Sequence, residues 1–276
     1  MQSTDLAVTL RLIDCIAACG VVLSSLEYLT THSLLSDTGL LSWPVHRLHF
    51  RLLTHGTLAV VLNTSLAYPN VVVLLGIQSG LSILLLVGSL FGILPALAAF
   101  LLTSGIALTL LLFALRSSYG REGADQMFVI IFSALALTYA FNTTVIFTAC
   151  LWFLAIQSCL SYATAGIAKI TSPIWRSGQA LPAIMATRGF GYYSFSVWLR
   201  KHPRFTKVLT WGTMGLEMLF PLALLGPQWL TLVWLLCGFG FHISNAILMR
   251  LNRFIWAFAA TYPAIWYCAS TIHLLR

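Results

Sequence analysis

Charge is scarce in this chain: only 8% of its 276 residues are Asp, Glu, Lys or Arg, and just seven of those are acidic. Soluble globular domains carry about 25% charged residues, so that class is excluded. The cysteines lack pattern. Cys15, Cys19, Cys150, Cys159, Cys237 and Cys268 all fall within apolar runs, with no CxxC pair and no Cys/His ligand spacing. They read as packing residues, and neither a disulfide framework nor a metal site is expected. There is no internal repeat or low-complexity tract, which counts against a transporter built from inverted halves. The opening MQSTDLAVTLRLIDC has no basic n-region and carries charges inside its apolar run, so no cleavable signal peptide is expected and the first span should stay in place.

What the chain has is hydrophobicity: 59% of residues are apolar, and the mean hydropathy is +0.90. An integral membrane protein follows. Apolar runs long enough to cross about 30 Å of hydrocarbon lie near 7–30, 70–92, 94–115, 126–142, 144–168, 206–226, 229–249 and 254–274. Lipid offers no partner to an unpaired backbone group, and the runs lack the alternation of a membrane barrel, so helices are expected. The sequence predicts an all-α polytopic transmembrane bundle of about eight spans plus interfacial helices, with 1–276 forming one membrane domain.

The run 49–70, HFRLLTHGTLAVVLNTSLAYPN, is apolar enough to span, but His55 and Asn63 with the flanking Arg47 and Arg51 also suit an interfacial or re-entrant helix. If it does not cross, Arg47, Arg51, Arg116, Arg121, Arg176, Arg188, Arg200, Lys201, Arg204, Lys207, Arg250 and Arg253 share one side. Those are twelve of the fifteen Lys and Arg, leaving Arg11, Lys169 and Arg276. The positive-inside rule makes the crowded side cytoplasmic and puts both termini outside a cell (inner) membrane. A ninth span would scatter the cations over both faces, so eight is preferred.

Base outnumbers acid, with a formal net charge of +8. The cations are spread through loops that flank the spans, where they set topology and meet anionic lipid of the bilayer; no nucleic-acid partner is expected. The one long polar interruption is 170–205. Its Trp175, Tyr192, Tyr193 and Trp198 and its cluster Arg200, Lys201, His202 and Arg204 predict short amphipathic helices along the membrane surface.

Polar groups inside the spans are the sharper signals, because they are costly in lipid. Arg11 and Asp14, three apart on one helix, can pair directly. Glu217 sits mid-span with no basic residue within a turn. It is therefore either protonated or partnered from another helix, as a structural tie or as part of a site. His242 and Asn245 share a face and can bond between helices or orient a polar substrate.

The stretch YATAGIAKITSPIWRSG ends an apolar run in a lysine. Tyr162, Ala165, Gly166 and Lys169 recur at i, i+3, i+4 and i+7, one helical face, with a small-residue notch between phenol and ammonium. The notch either admits a neighbouring helix while Lys169 snorkels, or keeps the lysine dehydrated enough that its neutral amine serves as a base.

This stretch resembles a motif of the vitamin K-dependent γ-carboxylases and their HTTM relatives, roughly Y-x-x-AG-x-x-K followed by W-x-x-G, matched by Tyr162, Ala165, Gly166, Lys169, Trp175 and Gly178. Glu217 before Pro221, and Phe241, His242 and Asn245 before Asn252 and Phe254, resemble two further motifs of that group. The ordered matches run from Tyr162 to Phe254. The resemblance implies a membrane enzyme in which Lys169 deprotonates a reduced menaquinone or vitamin K-like quinol. That quinol reacts with O2 to give a base able to take a carbon-bound proton from glutamate, CO2 traps the carbanion, and the quinone leaves as an epoxide. Tyr162, Gly166, Trp175, Glu217, His242 and Asn245 would shape the substrate or quinone pocket.

Two departures bear on carboxylation. Where the carboxylases carry a histidine after an asparagine, SYGREGADQMF places Asp125 and Gln126, and an amide cannot take up a proton. These two would contact head group or peptide. The chain also ends at Arg276 without the long soluble region of animal carboxylases. Its GADQ sequence is more similar to the bacterial subset containing the sporulation-delaying protein B type, implicated in maturing a secreted peptide toxin. That implies a peptide or protein substrate encoded elsewhere, and gives the alternative of a non-catalytic maturation factor for a toxin or bacteriocin. The charge count places the Lys169 end on the cytoplasmic side, whereas family carboxylases act on the secretory face. Lys169 is then reached through the bundle, or the span count or the carry-over fails. The enzyme reading predicts Lys169 facing a cavity open to lipid; the maturation-factor reading predicts Lys169 paired to a carboxylate beside a groove around 170–205.

Overall fold

The computed structural model describes residues 2–49, 56–116, 123–189 and 191–274. They form helices joined by turns, with no strand among the described residues. Two units, Met1–Cys150 and Leu151–Arg276, divide the chain.

The first unit contains α1 (Gln2–Thr30), a 3-10 turn His32–Leu35, the four-residue α2 (Trp43–His46), α3 (Thr57–Leu66), α4 (Asn70–Phe91), α5 (Ala96–Arg116), α6 (Gly123–Phe141) and the start of α7 (Thr144–Thr171). Helix α1 packs on α4 and α6, α4 on α5, and α5 on α6, which closes a four-helix ring. Short reversals make these neighbours antiparallel. The α4 helix ends on Gly92 in the left-handed conformation, whose amide bonds back to Gly88 and Ser89. The outward faces are as apolar as the core: Val73, Leu84, Phe91, Leu101, Leu108 and Leu137 are all exposed. A surface of that kind is stable only against lipid.

Among the described residues, six helices are long and apolar enough to cross a membrane: Asp5–Thr30, Asn70–Phe91, Ala96–Arg116, Gly123–Phe141, Thr144–Thr171 and Gln228–Met249. The chain is a multi-pass, all-α membrane protein. Of the run 49–70, residues 50–55 lie outside the described residues. The helix within it, α3, has ten residues, about 15 Å, half of a crossing. It docks on α4 and α5, and Asn63 within it accepts a 3.1 Å hydrogen bond from the Trp43 indole.

Arg116 anchors this end of the unit. Its side chain is fully buried (0% exposed), and its guanidinium donates to the carbonyls of Leu66 and Leu35. Leu66 is the last residue of α3, whose terminal carbonyls have no partner within the helix. Beside it Leu35, Val71, Leu75 and Phe113 form a buried apolar cluster. Sequence reasoning counts Arg116 among the lipid-facing topology cations; the structure instead makes it an internal clamp. Arg116→Ala should lower stability in detergent by roughly 3 kcal/mol, since two charge-assisted hydrogen bonds are lost at once. The exposed Arg47, changed to Ala, should stay within about 0.5 kcal/mol of wild type.

A second correction concerns Arg11 and Asp14, which do not pair. The carboxylate of Asp14 accepts hydrogen bonds from the hydroxyls of Tyr139 and Ser89. Helix α1 passes between α4 and α6, which bring neutral donors from two sides, and Arg11 lies on the exposed flank.

The second unit holds the rest of α7, then α8 (Pro173–Arg176), α9 (Ala180–Met185), α10 (Tyr193–Lys201), α11 (Pro203–Leu219), a 3-10 turn Phe220–Leu224, α12 (Gln228–Met249), α13 (Asn252–Ala259) and α14 (Tyr262–Leu274). The interruption 170–205 is built of short helices, and Ser196 of α10 donates to the Pro182 carbonyl of α9 at 2.7 Å. The runs 206–226 and 254–274, read as single spans, are each broken. Proline explains both breaks, because it lacks the amide proton that would bond the carbonyl four residues earlier. Pro221 turns the end of α11 into 3-10 helix, and Pro263 stands at the second position of α14 just after the break at Ala260–Thr261.

Candidate functional site

Five helices converge on one polar cluster inside an apolar surround. Helix α7 contributes Tyr162, Gly166 and Lys169 from one face, with Lys169 in its last turn, where a cation is favoured by the helix dipole. Helix α11 contributes Glu217 in its last turn. Helix α12 contributes Gly238 and His242, one turn apart, and the break between α13 and α14 contributes Phe258 and Tyr262.

Gly166 sets the approach of the first two helices. A β-carbon there would stand 2.6 Å from the backbone nitrogen of Met218, so no other residue lets α11 come so near. The notch beside Lys169 is thus filled by the neighbouring backbone, the close-approach reading of the small pair, and is not open space for a ring. Its consequence is an ion pair. The Lys169 amine donates to both oxygens of Glu217, at 2.7 and 2.6 Å. Glu217 is nearly sealed at 5% exposure, while Lys169 keeps 20%. The Trp175 ring covers the ammonium, with its centroid 5.3 Å from Nζ, close enough for the ring face to stabilise the cation. Of the two states the sequence allows for Glu217, the partnered one is found.

Two turns before Lys169 on α7, the Tyr162 hydroxyl lies 2.6 Å from His242 Nε2 and 2.8 Å from the Tyr262 hydroxyl. In this hydrogen-bonded chain Tyr162 has one proton to give, so it donates to at most one of the two groups and accepts from the other or from both. The far ring nitrogen, Nδ1 of His242, is buried without a partner. Aromatic faces enclose the chain. Phe220 stacks on Tyr162 at 3.8 Å and Phe258 on His242 at 4.5 Å. A β-carbon on Gly238 would lie 2.7 Å from the Tyr262 hydroxyl and 3.0 Å from that of Tyr162, so its absence admits both groups. The Thr261 hydroxyl fixes the α13–α14 break by donating to Ser158 of α7 at 2.8 Å.

The structure therefore joins Tyr162, Gly166, Lys169, Trp175, Glu217 and His242 from three separated sequence stretches. Asn245 does not join the cluster: its carbonyl accepts amide bonds at the end of α12, and its side chain makes no bond to these groups. Asp125 and Gln126 belong to the first unit, in the first turn of α6. Tyr262, Phe220 and Phe258 were not anticipated. The prolines at 221 and 263, next to aromatic residues within apolar runs, were the available signal.

Comparison of the chain with protein-family models, with curated proteins and with solved structures returns no match, and the geometry carries the functional reading.

Proposed function

We propose that this protein is a quinol-dependent, carboxylase-like enzyme of the bacterial cell membrane that modifies or matures a peptide substrate, with Lys169 as its base and Glu217 as the base's proton partner. One observation carries the reading: the motif residues Tyr162, Lys169, Glu217 and His242, up to 80 positions apart, meet as two adjoining hydrogen-bonded groups.

A hydroxylated aromatic ring would reach these residues from the exposed side of Lys169, because the notch at Gly166 is filled by α11. Flat apolar faces surround them, His242 Nδ1 is a buried polar atom lacking a partner, and the amine of Lys169 is the less buried member of its pair. A reduced naphthoquinone supplies, with O2, the strong base that peptide chemistry at carbon requires; CO2 is the further co-substrate if carboxylation is complete. The chain's own part is proton handling. Shifting one proton from Nζ to a Glu217 oxygen 2.6 Å away turns an ion pair into a neutral amine and a neutral acid. In a low-dielectric site the neutral pair competes well, because both ions are poorly solvated. The freed lone pair on Nζ can then accept the proton of an acidic hydroxyl, as general-base catalysis requires.

A second reading rests on the same contact. A bidentate clamp on Lys169, with Gly166 closed by α11, also describes a structural staple in a non-catalytic maturation factor. The test is oxidation of reduced menaquinone or phylloquinone under O2 by the purified protein in lipid, scoring epoxide for wild type and Lys169→Ala. Epoxide lost with Lys169 supports the enzyme. Its absence from folded wild type with every quinol tried supports the staple.

A further inference from the structure

A separate polar feature lies in the first unit, at the end of its helix ring away from Arg116. An open cavity of about 200 Å³ is lined by Arg11, Asp14, Ser89, Tyr139, Asn142 and Phe147, among small and apolar residues. Its volume admits on the order of six water-sized groups. Its walls come from the start of α1, the end of α4, the end of α6 and the turns that follow them, so it opens where the helices reverse.

Two ionisable side chains, Arg11 and Asp14, line this cavity and do not pair with each other. Asp14 is 1% exposed. Both of its hydroxyl donors, Tyr139 and Ser89, fall on the same oxygen, Oδ2. The other oxygen, Oδ1, is buried and has no partner. Arg11, one turn before it, turns its guanidinium over Gly92, whose β-carbon, were it present, would lie 2.9 Å from the nearer terminal nitrogen. Two hydroxyls hold the carboxylate through Oδ2. A buried carboxylate oxygen without a donor is costly in a membrane domain and calls for one from outside the chain.

We infer that this cavity binds a zwitterionic group: a primary ammonium that donates to Asp14 Oδ1, with an anion a few bonds away held by Arg11. The ammonium must carry N–H, because Oδ1 is a buried hydrogen-bond acceptor without a donor. Free α-amino acids and the headgroup of an ethanolamine phospholipid share this chemistry. The site is independent of the Lys169 cluster and of the reaction assigned to it.

The test uses the full-length protein purified in an uncharged maltoside detergent, with binding followed calorimetrically. Four probes are titrated: dihexanoyl phosphatidylethanolamine, dihexanoyl phosphatidylcholine, glycine and ethylamine. Saturable binding of the ethanolamine lipid at least about tenfold tighter than the choline lipid is expected, since a trimethylammonium offers no N–H and loses a charge-assisted bond. Binding of the ethanolamine lipid alone identifies a lipid as the source; glycine binding as well identifies a free zwitterion. Asp14→Asn should weaken binding at least about tenfold for the same reason. Arg11 is exposed, so Arg11→Gln should fold; it should weaken the zwitterions and leave ethylamine unchanged, which keeps the test decisive if Asp14→Asn does not fold. Equal affinity for the two lipids, no saturable binding by any probe, or unaltered binding in Arg11→Gln overturns the assignment.

Discussion

Lys169→Ala is expected to destabilise the protein by about 3–5 kcal/mol, because it strands Glu217, at 5% exposure, without its counter-charge. The reverse deletion is gentler. In Glu217→Gln the amine, already 20% exposed, can extend toward the interface, and a loss of roughly 1–2 kcal/mol follows. Removing both charges with apolar groups of similar volume, Lys169→Met with Glu217→Leu, should recover most of that loss, since replacing a buried pair by packed hydrophobic groups is often neutral. Thermal or denaturant unfolding in detergent measures all three variants. A double variant no more stable than Lys169→Ala would show that the contact is not an isolated pair and that Trp175 or other neighbours depend on the ammonium.

Tyr162→Phe should show the second large effect. It leaves both His242 Nε2 and the Tyr262 hydroxyl without their shared partner, at about 1–3 kcal/mol for each buried group left unmade. Tyr262→Phe leaves the Tyr162 to His242 bond in place and should lose about half as much. Equal losses in the two variants would mean that Tyr162 is not the centre of the chain. Because Phe220 stacks on the Tyr162 ring, the change to Phe keeps the packing and isolates the hydroxyl.

The class of fold was legible from composition, and six spans from their length, since lipid leaves the backbone few alternatives. The two other spans failed at Pro221 and Pro263. Hydropathy sums over a window and does not register the loss of one amide proton, so a broken helix and a whole one look alike. The polar pairs show a different limit. Helical spacing put Tyr162, Gly166 and Lys169 on one face, and the charge balance left Glu217 in need of a partner. That the partner is Lys169, 48 positions away, depends on how closely two backbones approach at Gly166. For Arg11 and Asp14 the local rule pointed the wrong way, because hydroxyls from α4 and α6 reach the carboxylate first. Arg116 was likewise counted by its sign and loop position, when the open carbonyls of Leu66 and Leu35 decided its role.

The two halves of the functional account rest on the same atoms and separate cleanly. A staple needs only the charges to cancel, whereas a base needs an amine at position 169. The most direct measurement is therefore quinol oxidation under O2 by the Lys169→Met, Glu217→Leu double variant in lipid, at a temperature where it and wild type are equally folded. The account predicts epoxide from wild type and none above background from the double variant. Epoxide formed by both at similar rates would contradict it and leave the Lys169–Glu217 pair as a structural contact alone.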